Sequence, residues 1–140
     1  MTALRRSTDA GRAPIPAVSR QRAVTADEYR ARTVKTTPEA ELQANVAELA
    51  TVLRLRYFHD HDSVRNAAGF LDTVLAGPGG HAFAELKRHG GRIRPEQEKW
   101  IATLRDGGAH VYLWRPADWQ SGEIRRVLEA LARPRRRGAR

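Results

Sequence analysis

Leu42, Val46, Leu49 and Leu53 recur at i, i+4, i+7 and i+11, the apolar stripe of an amphipathic helix. The stretch Thr36-Thr37-Pro38-Glu39 predicts its start: a Thr cap, Pro in the first turn, and Glu39 three residues after Thr36 as a capping box. The helix runs to about Arg54, with Glu39 and Gln43 along the edge of the stripe, one turn apart. Leu55 to His59 then reads as a short strand, and Asp60 to Ala68 as a polar connection. Upstream, residues 1 to 35 scatter Arg, Ala, Ser and Thr around Pro14 and Pro16 without a sustained period, so residues 1–36 read as a basic, mostly disordered arm.

The next stretch, Gly69 to Lys87, reads as two strands joined by the turn Gly77-Pro78-Gly79-Gly80. A turn centred between Pro78 and Gly79 sets Asp72 opposite Glu85 on an antiparallel ladder. Strict alternation puts Phe70, Asp72, Val74, Phe83, Glu85 and Lys87 on one face, and Leu71, Thr73, Leu75, Ala82, Ala84 and Leu86 on the other. Both faces carry apolar residues, which predicts an interior hairpin. Two adjacent carboxylates there repel and are costly to desolvate unless a cation lies between them.

After Lys87 comes a loop holding Arg88, Arg92 and Arg94, and Pro95 opens a second helix ending at Gly107-Gly108. Its stripe is Trp100, Ile101 and Leu104, joined by Gln97, whose buried amide needs polar partners. His110 to Trp114 forms the last strand, Arg115-Pro116 breaks it, and Ile124, Val127, Leu128 and Leu131 predict a final helix. The order αβββαβα is that of an α/β sandwich with a mixed central sheet flanked by helices.

A chain of 140 residues with 41% hydrophobic content accommodates one domain with a real core, expected over residues 37–132. Having no cysteine, it cannot form disulfides, thiolate metal sites or a thiol nucleophile. The sequence shows neither an apolar run near the roughly 18 residues of a membrane span nor the apolar core of a signal peptide, so no membrane partner and a cytoplasmic location are expected.

The net charge of +9 suggests nucleic acid until it is located. Residues 1–38 hold eight basic and three acidic residues, and the arginine-rich tail 133–140 five Arg and no acid, leaving the middle at −1. Lysine is scarce, being confined to Lys35, Lys87 and Lys99, which singles out the lysine two residues after Glu85.

Asp72 and Glu85 offer hard oxygen ligands for Mg²⁺ or Mn²⁺, to be completed by a backbone carbonyl, that of Leu86 between Glu85 and Lys87, and waters. Lys87 can stabilise charge developing on a phosphate, while Glu39 and Gln97 can reach the same end of the sheet from the two helices. The competing readings are a solvated strand face for Asp72, Glu85 and Lys87, a mere capping role for Glu39, and an ordinary helix-start role for Gln97. His59-Asp60-His61-Asp62 invites a zinc reading, but alternate histidines without further ligands are more often surface residues. Ser63 and Arg65 are candidates for phosphate contact, and Trp100, Trp114 and Trp119 for core or interface.

Six ordered blocks carry a family resemblance. They are Glu39-x-x-x-Gln43, His59-x-x-x-Ser63-x-Arg65, Gly69-Phe70-Leu71-Asp72, Phe83-Ala84-Glu85-Leu86-Lys87, Pro95-Glu96-Gln97-x-x-Trp100, and Val111 to Trp119. Over about residues 38 to 132 the chain resembles the VRR-NUC (virus-type replication-repair nuclease) domain in its small stand-alone phage and bacterial form, within the PD-(D/E)xK superfamily. The resemblance implies a restriction-endonuclease-like core and a divalent-metal-dependent DNA endonuclease selective for branched or junction DNA, in replication, repair or recombination. If the chain is phage-encoded, its location would be the bacterial host cytoplasm.

By resemblance, Asp72 and Glu85 are metal ligands, Lys87 the catalytic lysine, Glu39 the helix-borne acid completing the site, chosen over Glu41 because it stands four residues before Gln43, and Gln97 the glutamine beside it. Ser63, Arg65, Arg88, Arg92 and Arg94 are the expected DNA contacts, and a homodimer would let two sites address two strands. Leu71 stands where relatives usually have proline, and Val64 where arginine is common. Pointing to the opposite, apolar face, Leu71 is expected to affect rigidity only modestly. The competing function is a non-catalytic DNA-binding or scaffolding protein that kept the fold.

Overall fold

The computed structural model describes residues 22–61 and 67–136. These form α1 (Ala26–Thr36), α2 (Glu39–Val52), β1 (Arg56–His59), β2 (Thr73–Gly77), β3 (Gly80–Leu86), α3 (Pro95–Asp106), β4 (Val111–Trp114), α4 (Pro116–Gln120) and α5 (Glu123–Ala132). The four strands make one mixed sheet in the order β1-β2-β3-β4. The first two pairings are antiparallel, and β3 pairs with β4 in parallel through the α3 crossover.

The hairpin has the register the turn predicts. Thr73 pairs with Ala84, Val74 with Phe83, and Gly77 with Gly80, so Asp72 and Glu85 lie one step beyond the last paired residues. Gly79 holds the turn against α5: its N–H donates to the Leu131 carbonyl at 2.7 Å, and an added Cβ would stand 2.1 Å from the Ala130 oxygen.

One face of the sheet is covered by α2 and α5, with Leu75, Ala84, Leu86 and Trp114 against Leu42, Val46, Ile124 and Leu128. On the other face Val111 and Phe83 pack with Leu71 and with Ile101 of α3. This is an α/β fold with helices on both faces of a mixed sheet. Among the described residues no helix is long and apolar enough to cross a membrane.

Four expectations are corrected. Residues 26–36, read as part of a disordered arm, form α1, capped by a reciprocal box between Thr25 and Glu28. The helix buries no residue, which is why apolar periodicity misses it. Second, the expected Thr36–Glu39 capping box is not made. The Thr36 and Thr37 hydroxyls instead bond back to the Arg32 and Thr33 carbonyls of α1, and Pro38 stands at the cap of α2. Third, Leu71 is fully buried on the α3 face, beside Ile101 and Val111, because β2 begins only at Thr73 and alternation does not extend back to it. Fourth, the final helix expected over Ile124 to Leu131 forms as α5, but the expected order αβββαβα lacks α4, which is set off from α5 at Gly122, with φ +80°.

α2 ends before the expected Arg54. That residue takes φ 58°, and the following Leu55 N–H reaches back to the Ala50 carbonyl at 2.9 Å, the left-handed exit common to helix C-termini.

Candidate active site

Where β2 begins and β3 ends, the first turns of α2 and α3 meet the end of the sheet. A cavity of about 290 Å³ lies there, lined by Glu39 from α2, Asp72 before β2, Glu85 and Lys87 at the end of β3, and Arg94 and Gln97 at the start of α3. His59, Asp60, His61 and Phe70 complete its wall. The five residues expected to carry catalysis are thus brought together, with Arg94 beside them. The Leu86 side chain is buried in the α2–α5 core between them. Arg88 and Arg92 are exposed on the adjoining loop, where the Arg88 carbonyl accepts from Arg115 Nη1 at 3.0 Å. Ser63 and Arg65, together with Val64, lie outside the described residues.

Glu85 is the most constrained member. It is 2% exposed, and its Oε1 accepts from Gln97 Nε2 at 2.6 Å and pairs with Lys87 Nζ at 2.9 Å. Gln97 is held in turn by the Arg94 N–H, which donates to its Oε1 at 3.0 Å. That bond settles which end of the amide faces Glu85. Glu85 Oε2 is buried and has no hydrogen-bond partner among the described residues. One other buried side-chain atom among the described residues shares that condition, Nε1 of Trp114, but it lies in the apolar core and not at the cavity. A carboxylate oxygen buried without a partner costs several kcal/mol in order of magnitude, so it calls for a positive ligand in a way an indole N–H does not.

Asp72 stands beside it. Burial, and then the charge of Glu85, push its carboxyl up from 3.8 to about 7; Glu39 adds to the rise, while the Thr73 hydroxyl and Lys87 oppose it. Thr73 is fully buried and donates to Asp72 Oδ1 at 2.9 Å. Gln43, buried and not at the edge of its stripe, donates its amide to Thr73 Oγ1 at 3.3 Å and to the Tyr57 hydroxyl. Burial raises the Tyr57 phenol above its ordinary value, against the bond from Gln43. A chain of hydrogen bonds therefore runs from β1 through α2 to the candidate metal ligand.

Two histidines join the site from the far end of β1. His59 and His61 meet edge-on with ring centroids 4.3 Å apart. Burial and the His61 ring hold His59 below the ordinary imidazole value. The alternation His59-Asp60-His61 was a signal for this placement, because His59 pairs with Thr73 and so must stand near Asp72. Thr73 and Tyr57 carry no such signal.

Among the described residues no three His, Asp or Glu side chains gather into a ready cation cage. A site built on two carboxylates fits a hard cation only with backbone or water oxygens added. The orphaned Glu85 Oε2 and the proton-retaining Asp72 are the observations that fit such a cation. Compared with family models, curated proteins and solved structures, the chain matches none.

Proposed function

We propose that the chain is a divalent-cation-dependent DNA endonuclease with a restriction-endonuclease-like core of the VRR-NUC kind. The observation that carries this reading is Glu85: one carboxylate oxygen fastened by Gln97 and Lys87, the other buried and unpartnered next to Asp72. Asp72 and Glu85 would hold Mg²⁺ or Mn²⁺, with the Leu86 carbonyl and Glu39 completing the set. When bound, such an ion polarises a phosphoryl oxygen and acidifies water.

The chain's own residues do the rest. Gln97 and Lys87 fix the Glu85 carboxylate in one orientation, and Thr73 does the same for Asp72. The Lys87 ammonium brings positive charge to the cavity wall, where a phosphoryl oxygen gains negative charge during attack by water. Arg94 on the cavity wall, with exposed Arg88 and Arg92 nearby, supplies phosphate contacts. Branched DNA as substrate and a homodimer as the working unit follow from the family resemblance.

Incubating the protein with linear, flapped and four-way-junction DNA in Mg²⁺ and in Mn²⁺ tests this. Cleavage stopped by chelation, and slowed by about 10²-fold or more in Lys87→Ala, is the expected result. No cleavage of any substrate with either cation, or cleavage indifferent to Lys87→Ala, sinks the reading. Binding without cleavage points instead to a DNA-binding scaffold.

A further inference from the structure

Beside the candidate active site runs a second and larger cavity, about 710 Å³, between the outer face of α2 and β1. Its walls are the rings of Tyr57, His59 and His61 on one side and Ala40, Ala44 and Ala47 on the other. Glu39, His59 and His61 line both cavities, so the two adjoin along these residues.

Their chemistry differs. The active-site cavity carries Lys87 and Arg94, whereas among the described residues the groove has no Lys or Arg in its lining. A phosphate backbone track needs cations, and a groove without them gives a phosphate no charge partner. A base offers a flat apolar face with a polar edge, and it fits between aromatic rings and small alanines. The groove also offers a few polar groups at its floor: the Tyr57 hydroxyl, held by the Gln43 amide, and the Glu39 carboxylate at the shared boundary. The volume falls within the range of sites that take small molecules.

We infer that this groove receives an unpaired nucleobase of the strand whose phosphate enters the neighbouring cavity, so that DNA with unpaired nucleotides next to the cleavage point is the substrate class. The inference rests on the nuclease reading and gives it a physical source of structure selectivity. A base paired and stacked in duplex has to be extruded before it can enter, at a cost of unstacking, whereas an unpaired base enters without it.

The test reads binding, not cleavage. Fluorescence anisotropy in Ca²⁺ compares a blunt duplex, the same duplex with a short unpaired extension, and that extension made abasic. The extended DNA is expected to bind about tenfold tighter than the blunt one, the size of effect one stacked base supplies. The abasic change removes that advantage, and so does Ala44→Leu, which fills the groove from an exposed helix position. Thermal melting followed by circular dichroism checks that Ala44→Leu is folded, and the abasic arm decides by itself if it is not.

An advantage that survives the abasic change overturns the inference. So does a groove variant that alters sedimentation and leaves the DNA preference intact, since the groove would then be covered by a second copy of the chain. Failure to cleave with the base-dependent advantage present sinks the nuclease reading alone; cleavage with no such advantage sinks the groove alone.

Discussion

Asp72 is where the physics of single residues is most exposed to measurement. Its carboxyl titrates near 3.8 unfolded and near 7 in the folded chain. Between those values the folded state holds a proton that the unfolded state has released, so cation-free stability is full below pH 3.8 and falls as the pH rises to about 7. The loss has a ceiling on the order of 4 kcal/mol. Asp72→Asn abolishes this dependence, and without cation at pH 8 the variant melts above the parent. Mg²⁺ raises the parent's melting temperature more at pH 8 than at pH 6 and leaves the variant unmoved, because an ion competes with the proton for this oxygen. Thermal melts across pH decide it: parallel profiles for parent and variant would refute the account. The identity of the residue was readable from its place in the hairpin. Its protonation was not, because burial, the largest cause of the rise, and the added charge of Glu39 come from segments elsewhere in the chain.

At the scale of elements, the site depends on how the loop before β2 locks onto α3. Gly69 has φ +75°, and a Cβ there would stand 2.5 Å from the Glu96 backbone carbon, one residue before Gln97. Trp100 Nε1 closes the same contact by donating to the Ala68 carbonyl at 3.2 Å, and its ring meets Phe70 edge-on at 5.0 Å. Gly69→Ala therefore has to push α3 away. It is expected to cost about 2–4 kcal/mol in urea unfolding, since the position combines a positive φ with a backbone clash. It should also lower the melting-temperature gain from Mg²⁺, because Gln97 moves with α3 and releases Glu85. A variant with parental stability would show that the loop is not held this tightly.

The strands and main helices were legible here because periods of 2 and 3.6 and the Gly/Pro turn are local properties. α1 was not. It is stabilised by its own cap, hydrogen bonds and charged residues, and by contact with α4, without burying an apolar side.

For the molecule as a whole, the net charge of +9 and the position of the site make a prediction about salt. Arg94 lines the active-site cavity, and Arg88 and Arg92 are exposed on the loop that leads to it. If these three contact phosphates, replacing all three by Ser lowers the slope of log K against log salt for DNA binding by about 2–3, with affinity falling for all DNA shapes alike. Titrations at four or five salt concentrations measure the slope. An unchanged slope would place the phosphate contacts on other cations, such as those of the arginine-rich ends.

The sequence by itself determined the hairpin and its register, the order of strands and main helices, and the set Glu39, Asp72, Glu85, Lys87 and Gln97 as the place to look for chemistry. The hairpin, its register and the element order follow from residues a few positions apart or from turn chemistry within one segment, whereas the set of five rests on the family resemblance carried by blocks from separate segments. Only the tertiary structure decided that Glu39 is not tied up in a capping box, that Leu71 turns to the α3 face, and that Glu85 keeps one oxygen buried without a partner. It also decided that a groove of aromatic rings and alanines opens beside the candidate site. Burial, desolvation and unmet hydrogen bonds are properties of what surrounds a group, and those surroundings come from segments the local pattern does not bring together.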